Sequence, residues 1–122
     1  MRTILIGVMF CVASNFAIAW DNWSNEKQNL FIVSNVAIIA DWATTINMSE
    51  RYNEGYYEKN YWLGSHPSRA HINKYMAGRM IVNYLATEHL PEPWDRINLY
   101  ITIGVHGRAS YNNHQIGLEF KF

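Results

Sequence analysis

Charge and cysteine are both scarce in this 122-residue chain, and each shortage excludes something. Charged residues make up 16% of it, below the roughly 25% usual in soluble domains. Ten Lys and Arg balance ten Asp and Glu, and no two basic residues are adjacent. The row of cations that a phosphate backbone needs is missing, so no nucleic-acid partner is expected. The single cysteine, Cys11, lies in an apolar N-terminal run, and "VMFC" lacks the small residue that a lipid-attachment site needs before its Cys. Removal of that run leaves no cysteine at all, hence no disulfide and no thiol nucleophile. Stability must then come from packing.

The apolar run itself reads as an export signal. Arg2 supplies a minimal positive n-region, Thr3 to Ala13 the apolar core, and Ala17-Ile18-Ala19 a small-x-small cleavage pattern. It is short for a membrane span of roughly 20 residues. The expected organisation is a signal peptide over 1–19 and a single helical, membrane-associated domain over 20–122. The alternative is an uncleaved N-terminal anchor.

Three apolar segments follow, separated by two polar, aromatic joints. The first runs from about Gln28 to Met48, with Ser24 or Asn25 as cap and Asn25 with Gln28 as a capping box. Leu30 to Ala43 is almost continuously apolar, and its length favours helix over strand. Ser34, Asp41 and Thr45 fall on one stripe of that helix. The second segment, about Arg69 to Glu88, opens with Ser68 as N-cap behind Pro67 and stops at "LPEP". Ile72, Met76 and Met80 recur at helical spacing, with Ile81 and Leu85 beside them. Arg79, Asn83 and Thr87 form a polar line, and Ala77 and Gly78 thin the helix enough for a neighbour to approach.

The third segment has two readings. Leu99, Ile101, Ile103 and Val105 alternate with polar or small residues, as in a strand. Asn98, Thr102, His106, Ser110 and His114 recur at every fourth position, as a polar seam on a helix. Ile116, Leu118, Phe120 and Phe122 alternate again. A complete barrel would need at least eight strands of about ten residues, more than residues 20–122 supply. The favoured reading is helix over about Trp94 to Tyr111 and an extended tail after Asn113. The fold class is thus mainly α, a small bundle of about three helices; the alternative is α+β with a C-terminal hairpin.

"ADWATT", "YYEKNYWLGSHPS", "LPEPW" and "YNNHQIGLEF" occur in this order. Together they resemble a family of small uncharacterised membrane-associated proteins of bacteria and their phages. That family has an Asp-aromatic-x-x-Thr helix, a Glu-x-Asn-Pro-x-Leu-Gly-x-His-Pro-Ser joint and a closing His-Asn element. The resemblance spans most of residues 20–122, and its middle motif is fairly specific. It implies importance for Asp41, Thr45, Glu58, Asn60, Leu63, Gly64, His66, Pro67 and Ser68. Tyr61 stands where the family pattern has Pro, which puts the tightness of the turn after Asn60 in question. The resemblance implies architecture and residues, not a reaction.

Each polar candidate carries a structural alternative. Asp41, in mid-helix, must be paired or neutral if buried; it is a candidate for chemistry, or one half of a register-fixing pair with Arg79 or His106. Glu58 and Asn60 suit an acid/base with an orienting amide, or caps that close the joint. His66 is the best-placed group to titrate near neutral pH, or a structural imidazole. The catalytic candidates are therefore Asp41, Glu58 and His66, and the ligand-binding candidates are Thr45, Asn60, Arg79 and His106. His71, His89, His106 and His114 lack tight metal spacing, so neither metal nor cofactor is expected. Ser65 and Ser68 are not set in a nucleophile elbow.

Tyr52, Tyr56, Tyr57, Tyr61 and Trp62 crowd the first joint, and Trp20, Trp23 and Trp94 flank apolar segments. Tyr and Trp gather where a body is buried and a tip stays wet, as at a membrane surface. The alternatives are an aromatic minicore and a sugar-stacking surface. The expectation is an exported small envelope protein, periplasmic or membrane-associated, acting on membrane lipid or an envelope protein and able to self-associate. Two alternatives stand beside it: a small membrane-associated enzyme or ligand-binding protein using Asp41, Glu58, Asn60 and His66, and a soluble secreted α+β binding module.

Overall fold

A computed structural model describes residue 14 and residues 16–122. The apolar core of the expected signal, Thr3 to Ala13, lies outside the described residues. What is described is mainly helical, and no strand occurs among the described residues. Residues 16–22 are helical. Three long helices follow: α1 (Asn25–Ser49), α2 (Arg69–His89) and α3 (Trp94–Gln115), with a 3-10 turn at Tyr52–Glu54 in the first joint.

The expected caps form. Ser24 Oγ accepts from the Lys27 amide and Ser68 Oγ from the His71 amide, each at 3.2 Å, satisfying donors that a helix start leaves free. The Asn25–Gln28 box does not form; Gln28 Nε2 instead donates to the Trp20 carbonyl at 2.8 Å, tying residues 16–22 to α1.

Side-chain pairs set the topology. Lys27 meets Asp95, Asp41 meets His106 and Thr44 meets Asn113, so α1 and α3 run parallel. Ser34 meets Asn83, Trp42 meets Asn73 and Glu50 meets Arg69, so α2 runs antiparallel to α1. The fold is an up-down-up bundle. One apolar cluster, Ile38, Ile46, Leu63, Ile72 and Met76, lies under the first joint. A second joins Ala19, Trp23, Phe31 and Leu99 at the opposite end.

The hairpin alternative is overturned, because residues 98–115 lie inside α3 and 116–122 form no ladder. The helix ends where Gly117 adopts φ +96°. Its amide bonds the His114 carbonyl and the Leu118 amide the Asn113 carbonyl, both at 3.0 Å, which is a Schellman cap with Leu118 as its buried apolar residue. The alternation after Ile116 thus marks a cap and a docked tail. Asn47 Oδ1 accepts from the Glu119 amide at 2.9 Å, and Phe122 packs edge-on against Trp42.

Two further expectations are corrected. Ile81 and Leu85 face outward at 60% and 45% exposure, since the inner face of α2 turns through Asn83 and Thr87 instead. At Gly78 no atom lies within 4 Å of where a Cβ would stand, so no helix of the bundle approaches there.

Candidate functional site

Polar side chains line the bundle interior from end to end. With Pro67 included, thirteen apolar and eleven polar residues are buried among those described, so close to half of the interior is polar. At the lower end Lys27 Nζ lies 3.0 Å from Asp95 Oδ2, with the Asp95 side chain 1% exposed. About two turns up, Asn83 Nδ2 donates to Ser34 Oγ at 2.8 Å, and Asn98 Nδ2 reaches Asn83 Oδ1 at 3.4 Å. Further up, Thr44 accepts from Asn113 Nδ2 at 3.0 Å. Each helix carries its polar residues at i+3, i+4 or i+7, which is one face of a helix.

Between these levels Asp41 meets His106. His106 Nδ1 stands 2.7 Å from Asp41 Oδ2, and Thr45 Oγ1 donates to Asp41 Oδ1 at 3.3 Å. Both oxygens of the carboxylate are engaged. With Asp41 ionised, Nδ1–H is the donor, and Nε2 is left as an oriented nitrogen on the far side of the ring. Nε2 is buried and has no hydrogen-bond partner among the described residues. The Asp41–Arg79 pair does not form. Arg79 is half-buried, one turn from Met76 and one from Asn83 on α2, and its Nε is likewise buried without a partner among the described residues.

The first joint folds over the upper end of the bundle. Asn60 and Leu63 close a turn, the Leu63 amide bonding the Asn60 carbonyl at 3.1 Å, so Tyr61 in place of Pro leaves it tight. Gly64 follows at φ +76°, a conformation that side chains with a Cβ rarely adopt. Leu63 plugs into the upper apolar cluster. Asn60 Oδ1 accepts from the Trp62 amide and Nδ2 donates to Tyr75 Oη, both at 3.0 Å, so this amide shapes the loop.

Glu58 Oε1 accepts from the Lys59 and Asn60 amides, both at 2.8 Å. Burial pushes its carboxyl above the ordinary glutamate range; the two amides oppose this and the Asp41 charge adds to it. Burial, with the nearby Glu58 charge, also pushes the Tyr52 phenol up. The Asp41 charge thus reaches the Glu58 carboxyl. His66 does not join them. It is exposed, its Nδ1 lies 3.1 Å from Ser65 Oγ, and its ring stands edge-on to Tyr52.

The expected residues thus split into a buried trio of Asp41, Thr45 and His106, a nearby carboxyl at Glu58, and loop-shaping roles for Asn60 and Ser68. Among the described residues no three His, Cys, Asp or Glu side chains gather as a metal ion requires. The aromatics divide too. Trp20 and Trp23 pack with Phe16, Phe31 and Tyr84 in a minicore, whereas Tyr57, Tyr61 and Trp62 project outward at 56%, 89% and 75% exposure. An open groove of about 1470 Å³ runs between residues 16–22, α1 and α2, walled by Trp20, Ile32, Val36, Ile81 and Leu85. None of Asp41, Glu58, His66 or His106 lines it.

Sequence reasoning missed the Lys27–Asp95 ion pair. Asp95 in the first turn of α3 reads locally as an acid favoured at a helix start, and nothing in that spacing names a lysine 68 residues earlier. Comparisons with family models, with curated proteins and with solved structures find no match to this chain.

Proposed function

We propose that this chain is a small exported envelope protein whose helical bundle is embedded in a membrane, where it acts through contacts with lipid or another envelope protein. The supporting observation is a belt around the outside of the bundle. Ile32, Val33, Val36 and Ile39 of α1, Ile81, Val82 and Leu85 of α2, and Ile97, Ile101 and Val105 of α3 are all exposed. The antiparallel and parallel pairings put them at one height. Between Lys74 and Glu88 on α2, and between Arg96 and Arg108 on α3, no exposed charge interrupts the surface. Of the charged or titratable groups within that height, Asp41 and His106 are buried and Arg79 is half-buried. A polar interior with an apolar exterior is what a bilayer demands and water penalises.

At 1.5 Å per residue the charge-free belt is about 18–21 Å tall. A bilayer core of roughly 30 Å is then reached by snorkelling of Lys74, Arg96 and Arg108 and by local thinning. Tyr61 and Trp62, exposed beyond the upper edge, suit the headgroup level. By length and composition α1 is able to cross a membrane, a criterion that a buried core helix also meets.

The test is fractionation of the expressed chain, with a high-salt wash and flotation on vesicles. The expected result is membrane retention at high salt, because apolar burial rather than charge supplies the hold. Val105→Lys and Val36→Lys should each lower the retained fraction, at about 2.5–3.5 kcal/mol per lysine at the centre of a span. A wild-type chain that stays monomeric in the soluble fraction overturns the proposal.

A second reading, a ligand-binding protein or enzyme, is favoured by one observation: the buried, unpartnered Nε2 of the Asp41-oriented His106.

A further inference from the structure

Three buried ring or guanidinium nitrogens lack partners among the described residues, Arg96 Nε, His106 Nε2 and Arg79 Nε. Arg96 is already held through its Nη atoms by Glu26 and Glu92, which leaves His106 Nε2 and Arg79 Nε. They come from different helices, and the pairings place them near one height. Asn83 of α2 is bonded to Ser34 of α1 and Asn98 of α3, which fixes one level. Two turns along α1 and α3 from that level are Asp41 and His106; two turns along α2, which runs the other way, is Met76. Arg79 lies between Asn83 and Met76. A helical side chain slants toward its own N-terminus, so the Arg79 guanidinium leans from the asparagine level toward the Asp41–His106 level.

We propose that His106 Nε2 and Arg79 Nε form a buried site for one small oxyanion, a carboxylate or phosphate oxygen, taken up together with one proton. Arg79 Nε–H is a permanent donor. His106 Nδ1 is already turned to Asp41, so a proton on the ring makes Nε2–H a second donor, and one oxyanion oxygen accepts from both. The charges require this coupling. Asp41 and Arg79 balance, and an added anion is balanced by the imidazolium. His106 meets Asp41 of α1 directly, Arg79 of α2 is the charged group that the helix pairings bring toward this level, and the Glu58 carboxyl of the joint feels the Asp41 charge. The side chain of His106 is 4% exposed, so a ligand there is desolvated, and charge-assisted hydrogen bonds are strong in such a place. This inference does not depend on the membrane reading, since the site is interior wherever the bundle resides.

The experiment uses the full chain with nitrogen-15-labelled histidine, in mild detergent micelles and, if the chain is soluble without them, in buffer. Formate, inorganic phosphate and a micelle containing phosphatidylglycerol are added separately. The expected result is saturable conversion of the His106 Nε2 signal from a bare to a protonated nitrogen. One proton is taken up per site, read from titration heats in two buffers of different ionisation enthalpy. A response to the lipid arm alone assigns the oxyanion to a headgroup and still supports the site. Arg79→Met, which keeps the stem and removes the donor, should weaken binding at least about tenfold, and Arg79→Lys, which keeps the charge, by less. Circular dichroism melts of both variants separate loss of binding from loss of fold. No response of Nε2 to any of the three probes overturns the proposal, as does unchanged affinity in a folded Arg79→Met.

Discussion

His106 and Asp41, 65 residues apart in the chain, meet inside the bundle with Nδ1 2.7 Å from Oδ2, and Thr45 holds the other carboxylate oxygen. This contact joins α1 to α3 between Ile38 and Thr45 on the one and Thr102 and Ser110 on the other. Removing one partner leaves the other buried and uncompensated. Asp41→Ala should therefore destabilise by about 3–5 kcal/mol, measured by denaturant or thermal melts. The double change Asp41→Leu with His106→Leu should recover most of that loss. If the contact matters for activity as well as fold, Asp41→Asn should melt close to wild type and abolish the biological phenotype. An Asp41→Ala melt equal to wild type would show the contact to be idle.

Glu58 gives a pH dependence of the opposite sense to most carboxylates. Its folded-state pKa is raised, by burial first, so folding favours the protonated acid. The stability it contributes is fully present below the unfolded glutamate pKa and is lost as pH rises through the folded pKa. Glu58→Gln keeps an oxygen for the Lys59 and Asn60 amides and cannot ionise. Its melting temperature should match wild type near pH 4 and exceed it at pH 7–8. A gap that is constant with pH would assign the difference to packing instead.

Gly117 closes α3 at φ +96°, and a Cβ there would stand 3.2 Å from Tyr56 Oη. Gly117→Ala should cost about 1 kcal/mol from the backbone conformation alone. The Tyr56 hydroxyl, which donates to the Ile116 carbonyl at 2.8 Å, must shift as well. Tyr56→Phe in the same background should make the second effect visible, as a loss smaller than the sum of the two single changes in chemical denaturation.

Processing after Ala19 should leave Trp20 as the N-terminus, which intact-mass measurement of protein recovered from an expressing bacterium reads directly. In the full-length chain Ala19 is 4% exposed against Trp23, Phe31 and Leu99. Ala19→Arg should therefore block cleavage and also lower the melting temperature of the uncleaved chain. Recovery of wild-type protein with Met1 retained would favour the anchor reading.

The positions of the helices were legible in the sequence because their signals are local. Ser24 and Ser68 cap by reaching three residues along their own chain, Pro91 and Pro93 stop α2, and the apolar runs are too long for strands. The stripes Ser34–Asp41–Thr45 and Thr102–His106–Ser110 were visible for the same reason, since helical spacing is a property of one segment. Segment 98–115 was ambiguous because its alternation and its every-fourth-residue seam coincide; only packing along α1, whose partners recur at helical spacing, selects the helix. Which stripe meets which was also beyond local pattern. The parallel course of α1 and α3 brings His106, and not Arg79, to Asp41. It also pairs Lys27 with Asp95 and leaves Arg79 leaning toward a dyad whose carboxylate is already taken. Pairing across the bundle depends on relative helix direction and axial shift, and both are set by the joint and the tail folding over the upper end, through Leu63, Asn47 and Leu118. Those contacts exist only once the whole chain has closed.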